Sequence, residues 1–277
     1  MPDRKILIKR LLFTAYFISV FFLFLLLLFP FDRVKGKLES EARQRTPLEV
    51  SVARISPRFF NRFLLDDVVV SDKQGKVLFE SAQIKTVISL IGLMRGFFSV
   101  EMNAAAYGGE LSIKARQGKT PSYLMVDANS LEIGAISLLK NLGPRLSGKL
   151  GGTFELNGDL GRGKLWIKGM TVRELKIQGF PLPDLDFEQC WLEAELKGDR
   201  LTVKKLEFEG KELKIRIMGD LVLRERGSLN LTVKLKPSER LAHEQSGILS
   251  LIRNKDAEGF YQFSLGGILS DPSARLL

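Results

Sequence analysis

Cys190 and His243 are the only cysteine and the only histidine in this 277-residue chain. One of each cannot assemble an intramolecular disulfide, a Cys/His zinc site, or a Cys-His or Ser-His catalytic pair from a single chain. Cys190 precedes Trp191 at the head of an alternating apolar run, a setting for a small buried side chain. His243 follows Leu241-Ala242 in a polar stretch with helical character, a setting for the surface.

The carboxylates give two further candidates. Asp66-Asp67 with Asp72 has the composition of a cation site, and Glu193 with Glu195 has the types that paired acid–base chemistry requires. On a strand, however, a two-residue spacing puts Glu193 and Glu195 on one polar face with Lys197 beside them. Turn and outer-face roles account for both groups. Two glycine-rich stretches, Gly148-x-x-Gly151-Gly152 and Gly158-x-x-Gly161-x-Gly163, would cradle phosphate only if they opened a helix after a strand, and both read as hairpins between strands. The sequence therefore nominates no catalytic, cofactor-binding or metal-binding residue. It points to binding or scaffolding rather than to an enzyme.

Charge narrows the partners. The formal net charge is +10, of which Arg4, Lys5, Lys9 and Arg10 against Asp3 supply +3. The remainder is dispersed among Asp and Glu along alternating runs, which describes a solvated face and argues against a nucleic-acid partner. The same excess is mildly attracted to anionic headgroups just after the apolar segment.

That segment, Leu11 to Phe31, is 21 residues without a charge. As a helix it spans roughly 31 Å, the hydrocarbon thickness of a bilayer. It is apolar all round and ends in Phe29-Pro30-Phe31-Asp32-Arg33, without a small-x-small cleavage site, so it reads as a retained signal anchor. Leu11, Phe21, Leu25, Leu28 and Phe31 are the residues expected to anchor it in the membrane. The flanking Lys and Arg are balanced and leave the orientation open. Residues 1–10 form a tail, 11–31 the single transmembrane helix, and 32–46 a juxtamembrane helical extension along the headgroups that Pro47 closes.

From residue 47 onward, runs of five to eight residues alternate apolar and polar, broken by Gly, Asp and Lys. Strands are expected over Leu48–Ile55, Phe63–Ser71, Val77–Val87, Phe97–Ala105 and Glu110–Arg116, with a hairpin turn at Tyr107-Gly108-Gly109. Later turns are expected at Gly198-Asp199, Gly210-Lys211, Gly219-Asp220 and Arg226-Gly227. Helices are expected over Ser130–Leu142 and Ser238–Ile252. The fold is thus mainly β: one N-terminal transmembrane helix, then a twisted antiparallel meander folded into a taco- or barrel-like shape with two or three short helices. Leu196, Val203, Phe208, Ile215, Leu231 and Val233 line a candidate apolar groove on its inner side. Few helices are available to cover that side, so side chains fill it or it stays open to an apolar ligand such as phospholipid.

Several of these stretches carry a resemblance. They are Leu64-Leu65-Asp66-Asp67-Val68-Val69-Val70, Gly75-Lys76-Val77-Leu78, the Leu-Ile-Gly-Leu-Met-Arg-Gly core between Val87 and Phe97, Tyr107-Gly108-Gly109-Glu110-Leu111, and Phe263-Ser264-Leu265-Gly266-Gly267-Ile268-Leu269-Ser270-Asp271-Pro272. With the anchor, they resemble the type II secretion system protein N family and, more distantly, the AsmA-like proteins of bacterial envelopes. The resemblance implies a cytoplasmic tail, one span of the bacterial inner membrane and a periplasmic β-rich domain over 47–277. It also implies an accessory role in a type II protein secretion system, with other secretion subunits as partners. The AsmA-like side implies a lipid-binding or lipid-transfer module instead.

Overall fold

A computed structural model gives the fold. It describes residues 35–36, 39–40, 43–44, 48–59, 61–118, 121–140, 144–177, 180–181, 183–224, 227–244, 246–249, 255–269 and 271–276. The expected transmembrane helix, with Leu11, Phe21, Leu25, Leu28 and Phe31, lies outside the described residues. Among the described residues no helix is long and apolar enough to cross a membrane.

The strands are β1 (Leu48–Phe59), β2 (Arg62–Asp72), β3 (Val77–Ile88), β4 (Phe97–Ala106), β5 (Gly109–Gly118), β6 (Tyr123–Glu132), β7 (Arg145–Asn157), β8 (Leu160–Arg173), β9 (Lys176–Ile177), β10 (Phe180–Pro181), β11 (Leu185–Lys197), β12 (Arg200–Gly210), β13 (Leu213–Val222), β14 (Ser228–Pro237), β15 (Tyr261–Ile268) and β16 (Asp271–Leu276). The short helices after β1 are α1 (Leu90–Met94), α2 (Ser137–Lys140), α3 (Glu239–Glu244) and α4 (Ser246–Leu249). Fourteen strands make one antiparallel sheet whose spatial order is the chain order; β9 and β10 form a separate ribbon in the connection from β8 to β11. β1 and β16 stand at opposite edges of that order and do not pair with each other, so the sheet is open. The barrel-like alternative is thereby corrected: no pairing joins the last strand to the first.

One face of this sheet is apolar from β1 to β15. Following the pairing register, Ile55, Leu65, Ile84, Ala104, Leu111, Ala128 and Gly152 face one another across β1 to β7. The same line continues through Leu165, Leu192, Leu206, Ile217, Val233 and Phe263 across β8 to β15. The opposite face carries ion pairs such as Lys164–Glu193 at 3.3 Å and Lys204–Glu195 at 2.6 Å. These exposed pairs hold register and solubility and contribute little stability, about 0–1 kcal/mol each.

The free edge of β1 is covered by the segment before it. The Lys35 ammonium donates to the Ala53 carbonyl at 3.2 Å, the Val52 N–H donates to the Glu39 carboxylate at 3.2 Å, and Arg43 pairs with Glu49 at 3.5 Å. The described residues before β1 therefore lie along its outer edge and satisfy backbone groups that an edge strand leaves open.

Three local expectations are corrected. Ser130–Leu142 is not one helix: residues to Glu132 complete β6 by pairing Leu131 with Leu150 and Glu132 with Lys149, and only a 3-10 turn and the four-residue α2 follow. Gly148, Gly151 and Gly152 lie inside β7 rather than in a hairpin, with Gly151 against the Trp166 ring. Gly219-Asp220 is not a turn but the interior of β13, paired with Leu231 and Asn230. Gly219 has φ 139°, and a Cβ there would sit 2.2 Å from the Asn230 carbonyl oxygen. Gly219→Ala is accordingly expected to destabilise the domain by about 1–3 kcal/mol, read as a lower midpoint in denaturant unfolding.

Candidate functional site

The six residues expected to line the groove share one face. Ala194, Val203, Gly219, Leu231 and Leu265 form one cross-strand row, and Cys190, Phe208, Ile215, Leu235 and Tyr261 form a second. Val233 belongs to the long row from β1 to β15, between Ile217 and Phe263. Leu196 pairs with Leu201, which leads on to Leu221 and Leu229. Val203 and Val233 are buried, whereas Leu196, Phe208, Ile215 and Leu231 are only half-buried. The strands bring all six into one continuous surface about four residues wide.

Two compact clusters interrupt that surface. Val52, Val68, Ile84 and Ala104 pack together across β1 to β4, with Phe79 and Met102 against them. Val172, Leu185, Phe187 and Cys190 pack across β8 and β11, with Ile167, Met170 and Phe208 around them. Phe187 and Phe208 meet with ring centroids 5.5 Å apart, a favourable tilted contact. Between the clusters Leu111, Ile113 and Phe154 of the inner face remain half-buried, while Leu131 is buried. α2 follows β6 yet reaches back to touch β3, three strands away, and α3 touches β14. Among the described residues, helices of four to six residues cover only fragments of a face that runs for roughly 60 Å, taking ~4.8 Å per strand. The Thr86 hydroxyl, buried on this face, has no hydrogen-bond partner among the described residues.

The acid–base candidates resolve into structural contacts. Asp72 accepts from the N–H groups of Gln74 and Lys76 and so ties the β2–β3 turn, and Gln83 donates to Asp66 at 3.5 Å. A hydrogen bond from Lys204 holds the Glu195 carboxyl below its ordinary range, reinforced by the charges of Lys204 and Arg162. The Ser238 hydroxyl and then Arg240 do the same for Glu212. The Phe260 N–H and then Lys234 do so for Asp256, which fixes the loop before β15. Carboxyls held as anions beside cations serve ion pairing; a general acid needs the opposite shift. Among the described residues no group of three or more His, Cys, Asp or Glu is placed to hold a metal ion. No matching family model, curated protein or solved structure is found for the chain.

One feature escaped sequence reasoning. Of the large apolar side chains that are exposed among the described residues, most gather at a single end of the sheet, the end of the β1–β2 turn. They are Leu90, Ile91, Leu93, Met94 and Phe98 in and after α1, Leu160 at the start of β8, Leu223 after β13, and Ile268 and Leu269 between β15 and β16. Trp191 and Met218, within strands, are the exceptions. The signal in the sequence was the Leu-Ile-Gly-Leu-Met run, but its exposure follows only from the register.

Cys190 is 2% exposed, with its thiol 3.5 Å from the Met170 sulfur. Burial raises its pKa from 9.0 to about 12. The folded thiol therefore keeps its proton where the unfolded one has lost it, so its contribution is intact below pH 9 and drains away as pH climbs toward 12. Unfolding free energy is expected to fall across that window by at most ~1.4 kcal/mol per pH unit from this group, and Cys190→Ala should flatten that slope in alkaline denaturant titrations.

Proposed function

We propose that the chain is a non-catalytic protein of the bacterial inner membrane, tethered by Leu11–Phe31, whose periplasmic sheet binds phospholipid acyl chains along its apolar face. The observation that supports this reading is the unbroken apolar line across thirteen strands, beside half-buried Leu, Ile and Phe and without a second layer over it among the described residues. An acyl chain laid across four strand spacings covers about 19 Å. Each methylene withdrawn from water contributes roughly 0.8 kcal/mol, so a modest length of contact retains a lipid. The dimensions and chemistry fit the lipid-binding or lipid-transfer role that the AsmA-like resemblance implies.

Mass spectrometry of the full chain, extracted from envelopes into a lipid-free amphipathic polymer, tests this. Phospholipid is expected to co-purify, and Phe208→Gln with Leu231→Gln is expected to remove most of it while cooperative melting persists. Equal lipid content in both proteins would place the lipid at the anchor and defeat the reading.

A second reading, an accessory or scaffolding subunit of a type II secretion system, is favoured by the edge of β16. Among the described residues that strand pairs only with β15, and its other side offers backbone groups that a partner strand can complete. Pull-down of the full chain from solubilised envelopes is expected to recover secretion subunits. Truncation before Asp271 is expected to change that recovery; recovering none with the intact chain would remove this alternative.

A further inference from the structure

α1 sits where the sheet would least be expected to expose apolar surface. Ser89 caps it, accepting from the Gly92 N–H at 3.1 Å. Gly92 packs so close to the Phe97 ring that a Cβ would come within 2.8 Å of it. The helix thus docks through its glycine, and its long side chains project outward. Met94 is 88% exposed, Ile91 64%, Leu93 50% and Leu90 49%. Side chains of this kind are ordinarily withdrawn from water.

The charge around α1 is as one-sided as its hydrophobicity. Across β1 to β6 the register line Ser56, Leu64, Lys85, Asn103, Ser112 and Asp127 divides the sheet into two ends. On the α1 side, residues 57–63, 86–102 and 113–126 carry six Lys and Arg against one acid, Glu101. Lys114 pairs with that acid at 3.5 Å. On the other side, residues 48–55, 65–84, 104–111 and 128–132 carry seven Asp and Glu against three Lys and Arg. Arg58, Arg62 and Arg95, all exposed, flank the apolar tip, and none of them pairs with a carboxylate among the described residues.

The described segment before β1 points toward the same end. Arg43, Glu39 and Lys35 meet Glu49, Val52 and Ala53 in that order, so the segment climbs β1 toward the β1–β2 turn as it runs back toward residue 35. Phe31 is four residues further on, and no conformation takes it more than about 14 Å from Lys35. Within the described residues the segment thus runs in the direction of the end that carries α1, and the 21 uncharged residues from Leu11 to Phe31 precede it in the sequence.

We infer that α1 inserts its Leu, Ile and Met side chains into the anionic bilayer leaflet that holds the chain's own N-terminal segment, with Arg58, Arg62 and Arg95 on the headgroups. A shallow apolar wedge ringed by cations is the arrangement that interfacial binding to anionic lipid requires. The docking stands the first strands end-on to the membrane, with their acidic ends pointing away. It rests on the anchor assigned to Leu11–Phe31 and is independent of whether the apolar face carries lipid.

The test uses the full chain in lipid nanodiscs with an environment-sensitive fluorophore on Met94→Cys, and on Gln74→Cys at the acidic end as the reference. Cys190 is buried and takes no label at neutral pH, which the unsubstituted protein checks. In discs containing phosphatidylglycerol, the Met94 site is expected to give blue-shifted emission, protection from iodide and quenching by spin-labelled acyl chains, while the Gln74 site behaves as in water. Discs of phosphatidylcholine alone, or Arg58→Glu with Arg62→Glu and Arg95→Glu, are expected to lose that protection. Iodide quenching as strong at Met94 as at Gln74 would overturn the inference. So would protection indifferent to lipid charge, or protection in detergent that rises with protein concentration, which would identify a second copy as the occupant.

Discussion

A sheet of fourteen strands with one apolar face and, among the described residues, no second layer is under a single governing constraint, the cross-strand register. Side chains alternate sides with a period of two, so one residue of slippage in any strand would turn its Leu and Val side chains into water and its Lys and Glu side chains onto the apolar face. The bulges are the places where this constraint is negotiated. Pairing shifts between Glu193 and Ala194, between Val203 and Leu206, and between Ala128 and Leu131, yet the apolar line resumes on the same face after each. The two buried clusters, one in β1 to β4 and one around β8 and β11, anchor the register at separate places.

The polar face answers to the same register. Glu193, Glu195 and Glu207 each lie opposite a Lys or Arg of a neighbouring strand because alternation places them there, and these pairs disfavour slipped alignments more than they add stability. Near β13 to β15 the loop at 255–260 adds local cover. Phe260 is 3% exposed beneath Arg216, whose guanidinium lies 4.6 Å from the ring centre, and Asp256 holds the loop through the N–H groups of Glu258 and Phe260. Aromatic burial on this otherwise solvated face therefore comes from a loop.

Much of this was legible in the residues. Alternation alone located β1 to β5 to within a few positions, and the turns at Gly198-Asp199 and Gly210-Lys211 fall where Gly meets a polar residue between two apolar runs. What resisted reading has physical causes. Ile133, Ile136 and Leu139 have helical spacing, but Ser130 at φ 56° ends one stretch of β6 pairing and lets Leu131 pair with Leu150, which a local pattern does not disclose. Gly219 looks like a turn because Gly-Asp usually is one; here it relieves a close approach of the next strand's backbone. The apolar face was visible as a list of residues, whereas its continuity, and the gathering of exposed apolar tips at one end, exist only after fourteen registers are set.

The neighbour-only order of the strands bears on how such a chain is made. Each strand pairs with one already synthesised, so no segment has to await a distant partner, and the entropy lost in closing each loop stays small. Lys35 and Glu39 already occupy the outer side of β1, so growth proceeds from that sealed start in one direction. A polypeptide emerging N-terminus first can zip itself up hairpin by hairpin, exposing only its latest strand to misassociation at any moment.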